Sequence, residues 1–456
     1  MTDTYQVVIC GAGIAGISAA YHLAVKQGLH DILLVDQGAP LSLTSDKSTE
    51  CYRNWWPGPG NAMVALMNRS IDLLEELSQE SGDVFQLSRR GYLYVSGDKA
   101  AIPRLVRSAE AISALGAGPL RIHGRVDDSP AYVPPQPHGY AGSLDGADLI
   151  LEPSLLHQHY PYLTDQAVAA LHLRRAGWFS GQQLGSYLLE RARQAGVHIT
   201  QARITGFTLR AGRVQRVQLE DGRAITTQCF VNAAGPMIKQ VGAMLGTDLP
   251  VYTEPHLKVA FKDSLGVVPR EAPLLIWNDP QHLPWSESER DLLSEEDKAH
   301  PLLQVMPSGV HTRPEGGRDS NILLMLWEYN ARPIEPVWPI PQDPDYPDVL
   351  LRGLSTMLPG LSAYFNRSER PYLDGGYYTR TRENRPLVGP LPVKGAFLIG
   401  AMSGFGLMSA CAAGELLALH LTGGLLPGYA PAFMLERYQD PEYIRSIANL
   451  EDTGQL

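Results

Sequence analysis

Near the start of the chain, Gly11, Ala12, Gly13, Ile14, Ala15 and Gly16 have the types and order to hold a pyrophosphate. Gly11 permits a tight turn, Gly13 lets backbone N–H groups approach the phosphates, and Gly16 lets a helix pack closely on a strand. Phosphate charge there would rest on a helix N-terminus, where unpaired amides and the dipole favour it. Asp36 follows Gly16 by 20 residues, with Gln37 beside it, where a carboxylate grips the ribose hydroxyls of an adenosine.

The elements that must position these residues are legible around them. Val7, Val8 and Ile9 read as a buried strand, a helical pattern runs to about Gln27, and Ile32 to Val35 form a second apolar run ending in Asp36. A glycine fingerprint in that strand–helix–strand setting reads as a dinucleotide site rather than a plain glycine-rich turn.

Bulk properties narrow the classes. A chain of 456 residues is too long for one simple core, so two domains are expected. Hydrophobic content of 44% with 19% charged residues is that of a soluble globular protein. A net charge of −10, spread along the chain, argues against a nucleic-acid partner. The four cysteines (Cys10, Cys51, Cys229, Cys411) lie far apart without a CxxC pair, so neither zinc nor a disulfide framework is expected. No basic stretch precedes the fingerprint, which argues against a cleaved signal peptide. The apolar stretch 395–426 carries many glycines with Glu415 and His420, and reads as a buried strand and helix rather than a membrane span. A cytoplasmic protein is the expectation.

Along the chain, residues 41–60 are too rich in Ser, Thr and charge for an ordinary core, and a helix is expected over about 61–80. SRRGYLYVSG alternates as a strand with Leu93 and Val95 on one face, and the Pro/Gly-rich stretch 119–149 reads as a long loop or lid. Residues 178–196 form an amphipathic helical pattern, followed by strands turning at Ala211-Gly212 and Asp221-Gly222. A buried strand then ends in Ala233-Ala234-Gly235, small residues that admit a bulky ligand to the backbone. HLKVAF, PLLIW and NILLMLWEY read as strands, and the charged part of the 278–319 insert, from Ser286, reads as a surface helix or a gate. The chain closes with a strand at 396–400, a turn through Gly404 and Gly406, and a helix to about Thr422 capped by Gly423. Ligand-approaching motifs at the start, middle and end imply interleaved domains: 1–84, 152–248 and 375–456 against 85–151 and 249–374.

Five segments, in this order and spacing, carry a resemblance: CGAGIAGISAAYHLA with Asp36, TSDKSTECYRNWWPG, AGWFSGQQLGSYLLERARQAGV, CFVNAAGP, and RENRPLVGPL with FLIGAMSGFGLMSACAAGELLA. Together they resemble the FAD-dependent D-amino-acid oxidase superfamily, in its sarcosine, dimethylglycine and glycine oxidase branch. The resemblance implies an α/β fold: a Rossmann-like FAD-binding domain interleaved with a substrate domain on a mixed, largely antiparallel sheet. It places Gly11, Gly13 and Gly16 at the pyrophosphate and Asp36 at the ribose. Ser45, Lys47, Ser48 and Thr49 fall in the loop beside the flavin, and Ile204 meets adenine through its backbone. Ala234 and Gly235 match a second phosphate-side turn. Gly404, Phe405, Gly406, Leu407 and Met408 match the turn against the flavin's pyrimidine edge.

The implied chemistry is hydride transfer from an amine C–H to flavin N5, giving an imine that water hydrolyses, with O2 or another acceptor taking the electrons. Arg53 matches a carboxylate-binding arginine, with a loop-holding role as its structural alternative. Met408 replaces a lysine that helps hold substrate, and the strand NILLMLWEY lacks the lysine that favours O2. Lys258 is the substitute candidate, with a solvated strand-edge lysine as the alternative. Tyr377 and Tyr378 are candidate pocket walls. Gly375-Gly376-Tyr377 stands where covalent members place a linking cysteine, and no histidine lies in 45–53, so non-covalent FAD is expected, with Cys51 the remaining nucleophile. Glu383 takes the place of the usual acid in the last loop. A 2-hydroxy-acid oxidoreductase and a non-catalytic FAD-containing assembly factor remain the alternative functions.

Overall fold

The computed structural model describes residues 3–124, 131–296, 300–317, 319–365, 367, 371–448 and 450. Parts of three expectations therefore lie outside the described residues: 125–130 of the 119–149 stretch, 297–299 of the charged insert, and both chain ends.

Two large sheets organise the chain. The first has six strands in the order Leu387–Pro390, Ala396–Gly400, Cys229–Asn232, Val7–Cys10, Ile32–Asp36, Val197–Gln201. All its pairs are parallel except Leu387–Pro390 with Ala396–Gly400. The central strands are apolar and almost wholly buried, because helices cover one face of the sheet and a three-stranded sheet, Ile204–Arg210, Arg213–Leu219 and Ala224–Thr226, packs on the other. Gly11, at φ +108°, makes the turn out of Val7–Cys10, and a Cβ there would lie 2.3 Å from the Ala233 carbonyl oxygen. A Cβ on Gly16 would lie 1.9 Å from the Gly11 carbonyl oxygen, so only glycine lets the first helix, Ile14–Tyr21, cross at this point. Ser18 Oγ donates to the Ala410 carbonyl at 2.8 Å and ties that helix to the closing helix, Gly406–Thr422.

The second sheet has nine strands, from Tyr372–Arg380 and Tyr252–Lys262 through Ile322–Leu326, His311–Glu315, Leu274–Trp277, Tyr92–Ser96, Ala169–Leu173 and Ala147–Ile150 to Leu120–His123. It is antiparallel apart from two parallel pairs, Leu274–Trp277 with Tyr92–Ser96 and Leu120–His123 with Ala147–Ile150. The architecture is thus mixed α/β, with a Rossmann-like sheet beside a largely antiparallel one. Leu93 and Val95 are both fully buried, as their alternation implies.

Several local expectations change. Residues 41–60 are not all surface: Cys51–Arg53 is a strand paired with Ala176–Trp178, and Cys51 through Trp56 are buried. The Asn54 amide is partly satisfied there, Nδ2 donating to Ala117 O at 3.0 Å and to Asn68 Oδ1 at 2.8 Å. Trp178 ends that strand, so the helix begins only at Gly181, where Ser180 Oγ accepts from the Gln183 amide. Strands Leu120–His123 and Ala147–Ile150 bound the stretch expected as loop. Ala169–Leu173, expected with segment 152–248, pairs in the nine-stranded sheet, and Tyr372–Arg380 crosses the expected boundary at 374/375. The insert holds the helix Glu287–Glu296. Among the described residues no helix is long and apolar enough to cross a membrane.

Candidate functional site

A cavity of about 450 Å³ runs past the C-terminal ends of the parallel strands, within the ~300–1,000 Å³ usual for ligand sites. Gly11, Gly13, Ile14 and Ala15 line it where the first helix begins, with Asp36 and Gln37 at the end of the second strand. Ser45, Ile204, Ala234, Gly235 and Gly406 line it as well. Asp36 Oδ2 accepts from the Ala12 amide at 2.6 Å and Oδ1 from the Gly38 amide at 2.8 Å, which fixes the carboxylate and leaves each oxygen a second lone pair. Ser45 Oγ accepts from the Ile14 amide at 3.0 Å. The N-cap residues of the first and closing helices, Gly13 and Phe405, supply no side-chain cap and neither first turn holds an acid, so no carboxylate of their own competes for their N-termini.

A smaller cavity, about 50 Å³, adjoins it. Arg53, Trp56, His256, His311, Glu328 and Tyr378 line it, with Gly404, Phe405 and Met408 on another side and Thr49 and Cys51 at its edge. The two cavities meet along three segments. Thr44 and Ser45 line the larger and Thr49, Cys51 and Arg53 the smaller; Tyr377 lines the larger and Tyr378 the smaller. In the last loop, Met402, Ser403 and Gly406 face the larger, while Gly404, Phe405 and Met408 face the smaller.

Arg53 is buried, with NH1 donating to the Trp55 carbonyl at 2.8 Å and its guanidinium 4.5 Å from the Trp56 ring centroid. A cavity-lining position and a loop-holding contact therefore coexist in one side chain. His256 Nδ1 is 3.2 Å from Glu328 Oε1, and Nε2 is 3.6 Å from Glu254 Oε2. Arg380 NH1 joins the same carboxylates, at 2.8 Å from Glu254 and 3.8 Å from Glu328. Burial works against the charge on His256, but Glu328 and Glu254 outweigh it and raise its pKa above the ordinary imidazole value. His311 differs. Burial lowers its pKa and Arg53 adds to the effect, together outweighing Glu328 and the Gly309 carbonyl, to which Nδ1 donates at 2.8 Å, so the neutral ring is favoured.

The other sequence candidates fall elsewhere. Ala12, Gly16, Lys47, Ser48, Leu407 and Lys258 line neither cavity. Lys47 Nζ pairs with Asp46 at 2.7 Å and Asp374 at 2.9 Å. Lys258 is not a solvated strand-edge lysine: its strand lies inside the sheet, burial lowers its pKa, and Nζ donates to the Ser48 carbonyl at 3.0 Å. The Tyr377 hydroxyl is engaged by one residue, donating to Val337 O at 2.9 Å and accepting from Val337 N at 3.0 Å. Tyr378, not Tyr377, lies with Arg53. Glu383 is buried away from both cavities against Arg437, Tyr438 and Tyr443, a structural tie to the C-terminal segment.

Sequence reasoning missed His256, His311 and Glu328. A usable signal existed for His256, which lies two residues before Lys258 in an alternating strand and so on the same face. Glu328 follows the apolar run of NILLMLWEY, an acid placed just after a core strand.

The family model described as FAD dependent oxidoreductase matches residues 6–419. Dimethylglycine dehydrogenase of Rattus norvegicus is 27% identical over 277 residues, 60% of this chain but only 28% of that protein. Sarcosine oxidase subunit beta of Arthrobacter sp is 23% identical over 253 residues, 55% of this chain and 56% of the subunit. This chain thus spans well under two thirds of the curated relatives it matches. Among solved structures, L-proline dehydrogenase of P. horikoshii superposes with a TM-score of 0.71 at 18% identity, over 99% of this chain and 100% of that one. Glycine oxidase of Geobacillus kaustophilus gives 0.71 at 16% identity, over 95% and 99%.

Proposed function

The chain belongs to the FAD-dependent oxidoreductase family, matched over residues 6–419, and on that premise we propose that it oxidises a small secondary or tertiary amine or amino acid. The observation that carries this reading is the junction of the two cavities along the segments 44–53, 377–378 and 401–408. A cofactor in the larger and a substrate in the smaller would meet there.

The residues present fit FAD. The larger cavity is of ligand size, two helices with no acid in their first turns begin at it, and Asp36 is held with lone pairs to spare for a ribose. When bound, FAD supplies the two-electron acceptor at N5 for the hydride of the substrate C–H, and water hydrolyses the resulting imine. Arg53 receives the substrate carboxylate, to which its fork can donate in pairs. Trp56 and Phe405, packed edge to face at 5.0 Å, with Tyr378, keep bulk water out. First-turn amides of the closing helix favour negative charge at the junction.

FAD is held without a covalent bond in this reading. Burial raises the pKa of Cys51, whose thiol donates to the Thr49 carbonyl at 3.2 Å, and pushes Cys10 up to about 12, so neither is a ready thiolate.

The test begins with colour. A yellow protein whose colour leaves the pellet on acid precipitation, and whose absorbance is bleached anaerobically by amines or amino acids, is the expected result. Bleaching by 2-hydroxy acids alone, or by no small molecule, overturns the proposal. Turnover with O2 against turnover with an artificial dye then identifies the acceptor.

A further inference from the structure

The smaller cavity carries an unusual balance of charge for a site that would take an amino acid. Of the groups lining it, Arg53 is cationic, Glu328 is anionic, and His256 lies against Glu328. Behind the lining, Arg380 and Glu254 form a pair at 2.8 Å that cancels itself. His256 thus sets the remainder: the lining is neutral with a neutral imidazole and carries one positive charge with an imidazolium.

The surroundings of His256 favour the imidazolium. Its own strand supplies Glu254, while Lys258 on that strand is turned to the Ser48 carbonyl. The neighbouring strand supplies Arg380 and Tyr378, whose ring stacks on the imidazole. Glu328 lies beyond Ile322–Leu326, His311 is neutral, and the Tyr346 hydroxyl is turned to the Leu257 carbonyl. Burial opposes protonation, but the two carboxylates prevail and raise the pKa of His256. Trp56 Nε1, on the lining, is buried without a hydrogen-bond partner in the protein, whereas His256 Nε2 faces the Glu254 carboxylate at 3.6 Å. An anion in the cavity supplies the acceptor that Trp56 Nε1 lacks.

We propose that His256, held as an imidazolium between Glu254 and Glu328, gives this cavity one net positive charge and makes it select monoanionic ligands over zwitterions. An amino acid then binds as its carboxylate with a neutral amine, leaving the ammonium proton in water. That form still has the nitrogen lone pair needed to stabilise the product imine. His256 is therefore a specificity-determining residue, in addition to Arg53. The inference rests on the reading of this cavity as the substrate site.

Two ligands of the same shape isolate the charge: 3,3-dimethylbutanoate is a monoanion, and trimethylglycine differs from it by one fixed positive charge. Each is titrated into the holoenzyme, with binding read by calorimetry and by perturbation of the flavin absorbance, and butanoate serves as a smaller monoanion. The expected result at about pH 6 is a preference of about tenfold or more for the monoanion, as one uncompensated buried charge implies. His256→Asn reduces that preference to about threefold or less, with butanoate affinity falling in parallel. Should the variant not fold, wild-type enzyme answers alone: monoanion affinity holds at low pH and weakens as His256 loses its proton, with proton uptake on binding in that range. Equal affinity for the isosteres, tighter binding of trimethylglycine, an unchanged preference in a folded His256→Asn, or no binding by any of the acids overturns the inference. Failure of the functional reading looks different, because amines then leave the flavin unbleached while the isosteres are still discriminated.

Discussion

The rings of His256 and Tyr378 lie face to face, with centroids 3.7 Å apart and planes 15° from parallel. Tyr378 also meets the last loop, where a Cβ on Gly404 would come within 2.5 Å of the phenol ring. One aromatic plate thus transmits position between the ion cluster of the antiparallel sheet and the turn that opens the closing helix. Four expected outcomes follow from contacts of this kind.

Arg53→Lys keeps the charge but loses the fork. Loss of a charge-assisted hydrogen bond costs about 1.5–3 kcal/mol, so kcat/KM for carboxylate-bearing amines falls roughly 10- to 150-fold. An amine without a carboxylate changes much less. Steady-state kinetics on a matched pair of amines checks this, and an equal loss on both removes Arg53 from carboxylate binding.

Gly16→Ala puts a methyl 1.9 Å from the Gly11 carbonyl oxygen, a backbone atom that cannot swing aside. Overpacking of this kind costs about 1–3 kcal/mol, and here it also displaces the phosphate-side turn. The variant is expected to purify with little flavin, measured as visible absorbance per protein, and with a lower Tm. Gly28→Ala, at an open surface turn with φ +68°, serves as the control that loses stability but keeps its colour.

Tyr377→Phe removes a hydroxyl that both donates to and accepts from Val337. Stability falls by about 1–3 kcal/mol in a denaturant titration, while kcat/KM stays within about threefold, since the hydroxyl serves the backbone of the 337 loop rather than the ligand. A loss of activity at unchanged stability would return Tyr377 to the catalytic set.

His172 is buried as a neutral ring. Nε2 donates to the Arg90 carbonyl at 3.0 Å, Nδ1 accepts from Arg174 at 3.1 Å, and burial with the nearby Arg174 charge lowers its pKa to about 3. Between that value and the ordinary 6.5 the unfolded chain binds a proton that the folded chain does not, so stability rises with pH and is lost as the solution is acidified. His256, with its pKa raised, acts in the opposite sense. His172→Gln is expected to flatten the dependence of unfolding free energy on pH by about 1.4 kcal/mol per unit across this window. Urea midpoints at a series of pH values check it, and parallel curves refute it.

The first part of the larger cavity was readable because it is contiguous: Gly11 to Gly16 and Asp36 belong to one strand–helix–strand unit whose geometry is fixed locally. The smaller cavity draws Arg53, His256, His311, Glu328 and Tyr378 from segments far apart in the chain, and no local pattern shows that they converge. Polarity misled in the same way at 41–60, where Arg53 and Asn54 are buried because the surrounding backbone and rings accept their hydrogen bonds and charge. Tyr377 and Tyr378 both line a cavity, but different ones, because a pleated strand turns adjacent residues to opposite sides and composition does not reveal which side is which.

Tyr372–Arg380 is the outermost strand of its sheet and is aligned on one neighbour alone, from Ala260 opposite Tyr372 to Tyr252 opposite Arg380. Slippage by a single residue would exchange the outlooks of Tyr377 and Tyr378, remaking both cavities without altering one letter of the sequence. Gly375 and Gly376 stand against that error. A Cβ in the first slot would come within 2.7 Å of the His256 carbonyl oxygen, and one in the second within 3.2 Å of Thr44 and Lys47. A slip of one residue brings Asp374 into the first place or Tyr377 into the second, a side chain where there is room for none, so the two glycines work as a proofreading device for strand alignment. Substituting them would endanger the identity of the ligand before it endangered the fold.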